Sequence, residues 1–134
     1  MGRANNFKLW EELKKLGAYT KSNELSDLVS KVISRWHWLD RKSLGDQYIS
    51  CVDSISANVA EGYGRFFYKD KIKFYYYARG SALEAFCWTE KAMRRGLMSE
   101  AESNRTFEIL NEIPIEIHVL IQNSRSQLLN SKIR

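Results

Sequence analysis

The sequence is poor in the residues that punctuate or staple a chain. A single proline, Pro114, stands among 134 residues. Proline breaks helices and interior strands, so a chain nearly free of it can sustain long elements. The two cysteines, Cys51 and Cys87, form no CxxC pair and join no histidine cluster, which excludes a zinc knuckle and a disulfide scaffold. Both stand in helical apolar patterns and read as small buried hydrophobes. The two histidines, His37 and His118, lack a glutamate three residues earlier, so the Glu-x-x-His pairs of a di-iron bundle are missing. His37, between Trp36 and Trp38, reads as a turn or interface residue. No serine or cysteine occupies a strand-to-helix elbow, which leaves a hydrolytic triad without support. The expectation is a protein that is not an enzyme, with no metal and no cofactor. No apolar run is long enough for a secretory signal or a membrane span, which points to the cytoplasm and away from a membrane partner.

What remains is an ordinary globular mixture, 44% hydrophobic and 28% charged, of a length that suits one domain. Twenty-one Lys and Arg outnumber sixteen Asp and Glu, for a net charge of +5. That balance leans toward an anionic partner, RNA or DNA first. Aromatic residues make up 13%. A small core cannot hold so many rings, so some are expected at an interface.

Periodicity predicts helices throughout. Residues 7–19 form a short amphipathic helix through Phe7, Leu9, Trp10, Leu13 and Leu16, with Gly17 near its end. Ser22 or Asn23 then caps a helix carrying Leu25, Leu28, Val29, Val32, Ile33 and Trp36. After a turn over residues 35–43, Asp40 or Ser43 caps the next helix, whose stripe is Leu44, Tyr48, Cys51, Val52, Ile55 and Val59. Gly62 and Gly64 end it, with Gly62 in a left-handed cap. The longest helix runs from about Asp70 to Arg95. It is apolar on two sides, through Ile72, Tyr76, Leu83 and Phe86, and through Phe74, Tyr77, Ala78, Ala85, Trp88 and Ala92. Such a helix is either central or shared with a partner subunit. Ser99 and Glu102 form a capping box that starts the last helix, which carries Leu110, Ile113, Ile117, Leu120, Ile121 and Ser124. Residues 113–119 alternate like a strand, but without a second strand to pair with they read as a helix kinked or restarted near Pro114. The predicted fold is all-α, an antiparallel up-and-down four-helix bundle over residues 23–128, preceded by an extension over 1–22 and followed by a frayed tail over 129–134.

One stretch is specific. Leu44 and Gln47 are followed by Ser54, Ile55, Asn58, Val59, Ala60, Glu61, Gly62, Gly64 and Arg65, then by Phe74, Ala78, Arg79, Gly80, Ser81 and Glu84. This order of polar residues and glycines resembles the four-helix bundle family of proteins encoded by intervening sequences of bacterial 23S rRNA genes. With looser similarity the resemblance reaches from about Leu25 to Leu97. It implies a bundle that assembles with copies of itself into rings, often pentamers. It also implies kinship with accessory proteins of diversity-generating retroelements, which work with a reverse transcriptase and nucleic acid. One departure stands out: relatives often carry a basic pair two and three residues after the glutamine, where this chain has Ile49 and Ser50.

By their chemistry, Gln47, Asn58, Glu61, Arg79, Ser81 and Glu84 are polar groups beside apolar stripes. One reading is a satisfied structural network, with Glu61 or Glu84 pairing Arg79 and Asn58 bonding the backbone. The other is an anion or partner site centred on Arg65 and Arg79. Gly62-Tyr63-Gly64 follows a helix rather than a strand, so it is no dinucleotide fingerprint. Arg65, Lys69, Lys71 and Lys73 come straight after it, interleaved with Phe66, Phe67 and Tyr68. Such a mixture can bind phosphates and stack bases, or it can pack a loop while its lysines face water. Two functions follow: a homo-oligomeric scaffold touching RNA or DNA through Arg65, Lys69, Lys71, Lys73 and Arg79, or a module that binds a protein partner, such as a nucleic-acid enzyme, and no nucleic acid.

Overall fold

The computed structural model describes residues 3–133; residues 1, 2 and 134, at the ends of the predicted extension and tail, lie outside it. The described residues are helical nearly throughout. The order is α1 (Arg3–Leu13), α2 (Gly17–Ser34), a short α3 (Trp38–Asp40), a π-helical turn (Arg41–Gly45), α4 (Asp46–Gly64), α5 (Tyr68–Arg94) and α6 (Glu100–Ile133). Helix α4 packs on α2 and α5, and α6 packs on α5 and α2, which closes a four-helix bundle in chain order. Helix α1 is an addition that rests on α4.

The apolar stripes meet in one core. Leu25, Val29 and Val32 of α2 face Tyr48, Val52, Ile55 and Val59 of α4, and Ile113, Ile117 and Ile121 complete the layer from α6. All are buried. Each such side chain contributes about 1.5–3 kcal/mol by leaving water. The buried stripe of α5 differs in kind. It consists of Tyr75, Ala78, Ala82, Ala85, Thr89 and Ala92, so small residues let the neighbouring helices come close. The fully buried Tyr48 hydroxyl stands 2.6 Å from Thr89 Oγ1, and Thr89 donates to Ala85 O at 2.7 Å. The threonine proton being used there, Tyr48 is the donor of the pair. Close by, Trp36 Nε1 donates to Leu97 O at 2.7 Å and ties the turn after α2 to the α5–α6 connection.

Several expected boundaries move. α2 starts at Gly17, so Gly17 opens a helix instead of closing one, and neither Ser22 nor Asn23 caps it. Ser22 is buried and turns its hydroxyl back onto Ala18 O at 2.5 Å, which satisfies it within the helix. The start of α2 is held from a distance: the Glu116 carboxylate lies over Gly17, and Glu116 also pairs with Lys21 at 3.2 Å. A carboxylate there suits the positive end of the helix dipole. Asp40 and Ser43 do not cap α4 either. The cap is His37, whose Nδ1 accepts from Leu39 N–H, and the helix then passes through the π-helical turn without a break. His37 is thus the turn residue it was expected to be.

The capping box at α6 forms as predicted, with Ser99 N–H donating to Glu102 Oε1 at 2.9 Å and Glu102 N–H donating to Ser99 Oγ at 3.1 Å. The last helix does not restart at Pro114. One helix runs through it to Ile133, so residues 129–133 continue the helix, and residues 113–119 are helical. An interior proline costs about 3 kcal/mol or more; here the buried Ile109, Leu110, Ile113, Ile117 and Ile121 on both sides of it offset the loss. Cys51 is buried as expected, whereas Cys87 is exposed, because it lies on the outer side of α5.

Candidate nucleic-acid interface

Helices α4 and α5 are joined by the tight linker Arg65–Phe67. Arg65 N–H donates to Gly62 O at 3.2 Å, and Lys71 N–H donates to Phe67 O at 3.1 Å. The close approach depends on Gly62. A Cβ there would lie 2.8 Å from Tyr75 Cε1 and 3.1 Å from Lys71 O. Gly62 remains within the helix, which ends at Gly64, and Gly96 is the glycine with positive φ among the described residues. The left-handed cap expected at Gly62 is therefore corrected: its role is room for the Tyr75 ring.

The five cations predicted here do not form one cluster. Lys71 turns inward and donates to Tyr63 O at 2.6 Å, with its ammonium 5.4 Å from the Tyr63 ring centre. Partial burial lowers its pKa below the ordinary lysine value. Arg65 pairs with Glu61 one turn earlier and lies over the Phe74 ring at 4.6 Å. Lys69 and Lys73 are exposed and share one side of α5, one helical turn apart. Arg79 is exposed further along the helix, and Glu61 pairs with Arg65 rather than with Arg79.

The other polar residues of the pattern gather in the groove between α4 and α5. Asn58 donates to Ser54 O at 2.9 Å, which confirms its bond to backbone. Ser54 Oγ lies 2.7 Å from Ser81 Oγ, and Cys51 Sγ lies 3.1 Å from Ser81 O. Gln47 and Glu84 line the mouth of this groove with Asp46 and Ser50. Burial, reinforced by the nearby Glu84 carboxylate, pushes the Cys51 thiol well above its ordinary pKa, so it is no thiolate nucleophile.

The order of glycines and polar side chains that builds this groove and the α4–α5 linker is matched by a family model described as 23S rRNA-intervening sequence protein, over residues 14–118. The chain belongs to that family. No curated protein matches it. The match begins before α2 and leaves all of α1 outside.

That excluded helix nevertheless completes a recess beside the 23S rRNA-intervening sequence family's glycine turn. Lys8, Leu9 and Glu12 of α1 face Tyr63, Gly64, Arg65, Phe66 and Lys71 across a space of about 340 Å³. Tyr63 hydroxyl donates to Glu12 Oε2 at 3.0 Å. Burial first, and the Glu12 carboxylate second, raise the tyrosine's pKa, so the bond persists at neutral pH. Sequence reasoning missed Lys8, Leu9 and Glu12. The pairing of residue 12 with residue 63 is a tertiary event for which no local pattern exists.

Proposed function

We propose that the protein is a non-enzymatic helical scaffold that assembles with copies of itself and touches RNA or DNA weakly through the basic surface at the α4–α5 turn. One observation carries the assembly. The outward side of α5 presents Tyr76, Tyr77 and Leu83 to solvent, the last 72% exposed, around Gly80, whose Cβ position meets nothing within 4 Å. Glycine in an exposed helix interior costs about 1 kcal/mol relative to alanine. A bare backbone flanked by Tyr76, Tyr77 and Leu83, with Glu84 beside them, suits another helix arriving at close range. Ile115 and Val119 are further exposed apolar side chains, on α6. A closed ring, pentameric as the family resemblance implies, would satisfy this face and repeat Arg65, Lys69, Lys73 and Arg79 around its circumference, multiplying a weak phosphate affinity.

A second reading has its own support. Two of the five cations are already engaged, Arg65 by Glu61 and Lys71 by the Tyr63 carbonyl. That favours a module which holds a protein, such as a nucleic-acid enzyme of the kind that retroelement accessory proteins serve, without touching nucleic acid itself. Light scattering on the purified chain, alone and with a mixed pool of short RNA and DNA at two salt concentrations, separates these. An oligomer that takes up nucleic acid only at low salt supports the scaffold, since phosphate contacts weaken steeply with salt. An oligomer that ignores nucleic acid at both salts supports the protein module, and a monomer rejects the assembly. Within the scaffold reading, Lys69→Gln with Lys73→Gln is expected to lower the uptake and its salt dependence without moving the melting temperature, because both side chains are exposed.

A further inference from the structure

Phe66 and Phe67 are 74% and 65% exposed, and Phe66 is the most exposed large hydrophobic side chain in the described residues. They touch each other edge to face, with centroids 5.1 Å apart. Two rings so exposed contribute little to the core, yet the linker that carries them is pinned by backbone bonds at both ends. They are therefore held in place before any partner arrives. Phe66 also forms part of the wall of the 340 Å³ recess, with Lys8, Arg65 and Lys71 around it. Lys71 spends one of its three donors on Tyr63 O, which leaves two for a ligand. Glu12 lines the same space and accepts from the Tyr63 hydroxyl, and Arg65 is shared with Glu61, so Lys8, Arg65 and Lys71 stand against two carboxylates and the corner stays net positive.

From this juxtaposition we infer that the α1–α4–α5 corner is a single-strand site, which stacks one unpaired base on Phe66 and Phe67 and takes the adjoining phosphate between Lys8, Arg65 and Lys71. The inference rests on the nucleic-acid reading above and commits it to a form of ligand. A duplex hides the faces of its bases within the stack, whereas an unpaired base offers a flat surface to a ring. Cations alone would attract any polyanion; the added rings are what would select the single strand. Lys8, Leu9 and Glu12 of the recess precede the residues that the family model matches. An anionic membrane is the rival occupant. It is disfavoured because surface-binding helices bury a broad apolar face, and here two rings stand among at least as many charges.

The test is fluorescence anisotropy at low salt with four probes: a labelled single-stranded oligonucleotide, a duplex of equal charge, an abasic strand of the same length, and vesicles of phosphatidylserine and phosphatidylcholine. The single strand is expected to bind on the order of ten-fold more tightly than the abasic strand and the duplex. Replacing Phe66→Ala and Phe67→Ala together should remove that margin while leaving the salt dependence and the melting temperature in place; Phe66→Trp should retain it. If all three nucleic acids bind alike, or the phenylalanine variant binds unchanged, the base-stacking site is overturned while nucleic-acid binding stands. If none binds, both fall. Binding to the vesicles in place of the oligonucleotide assigns the rings to a membrane surface and also overturns the inference.

Discussion

Gly62 and Gly80 fall in the same family pattern, and their surroundings give them opposite work. Gly62 lies against the buried Tyr75 ring and the Lys71 carbonyl, neither of which can withdraw without opening the α4–α5 corner. Gly62→Ala gains helix propensity but overpacks that contact. A net loss of about 1–3 kcal/mol is expected, read from thermal or urea melting. Gly80 has open space where its Cβ would be. In the isolated chain Gly80→Ala should raise stability by about 0.5–1 kcal/mol. If a neighbouring copy covers this helix, the same change weakens assembly instead, and light scattering at several concentrations distinguishes the two. In sequence Gly62 reads as a left-handed cap and Gly80 as one position of the family pattern; only the packing tells a crowded glycine from a bare one.

Among the elements, α6 is the one whose start is most completely determined by local chemistry. The reciprocal bonds of Ser99 and Glu102 satisfy two end amides, and the chain arrives there from a Schellman-type stop. Leu97 N–H donates to Ala92 O at 2.9 Å and Gly96 N–H to Met93 O at 3.0 Å, with Gly96 at φ 71°. Ser99→Ala is expected to cost about 1 kcal/mol in a melting experiment. Acid should act on the same spot. The Ser99 amide, followed by Arg35, holds the Glu102 carboxyl below its ordinary value of 4.5. A lowered folded-state pKa gives stability that is fully present above 4.5 and is lost as pH falls through the folded value. Glu102→Gln can keep the cap geometry without titrating. The melting difference between the two proteins should therefore be full near neutrality and shrink below pH 4.5. Such ends were legible in sequence because donor and acceptor are three residues apart. The start of α2 was not, because its carboxylate comes from Glu116, and the π-helical turn was not, because the apolar rhythm across it reads like plain α-helix. The candidate site divides the same way: the linker cations and rings were readable from their spacing, whereas the inward turn of Lys71 and the closure by α1 depend on contacts between distant segments.

At the scale of the whole molecule, the bundle has gathered its apolar stripes into one core and left other apolar side chains outside. The cations at the α4–α5 corner, by contrast, are few and partly engaged by neighbouring groups, so a single copy offers a weak hold on a polyanion. Assembly and binding are therefore linked: repetition of the corner around a closed ring would raise avidity without any new contact, provided one strand can reach two corners. Leu83→Arg places a charge in the middle of the outer α5 face. Because Leu83 is 72% exposed in the single chain, the monomer's stability should change by no more than about 0.5 kcal/mol. The particle mass in light scattering should fall to that of one chain, and affinity for a long oligonucleotide should fall with it. Affinity for a strand only a few nucleotides long, which can occupy a single corner, should stay the same. A mass unchanged by the substitution would move the contact off α5, and a mass lowered with long-strand affinity intact would uncouple binding from assembly.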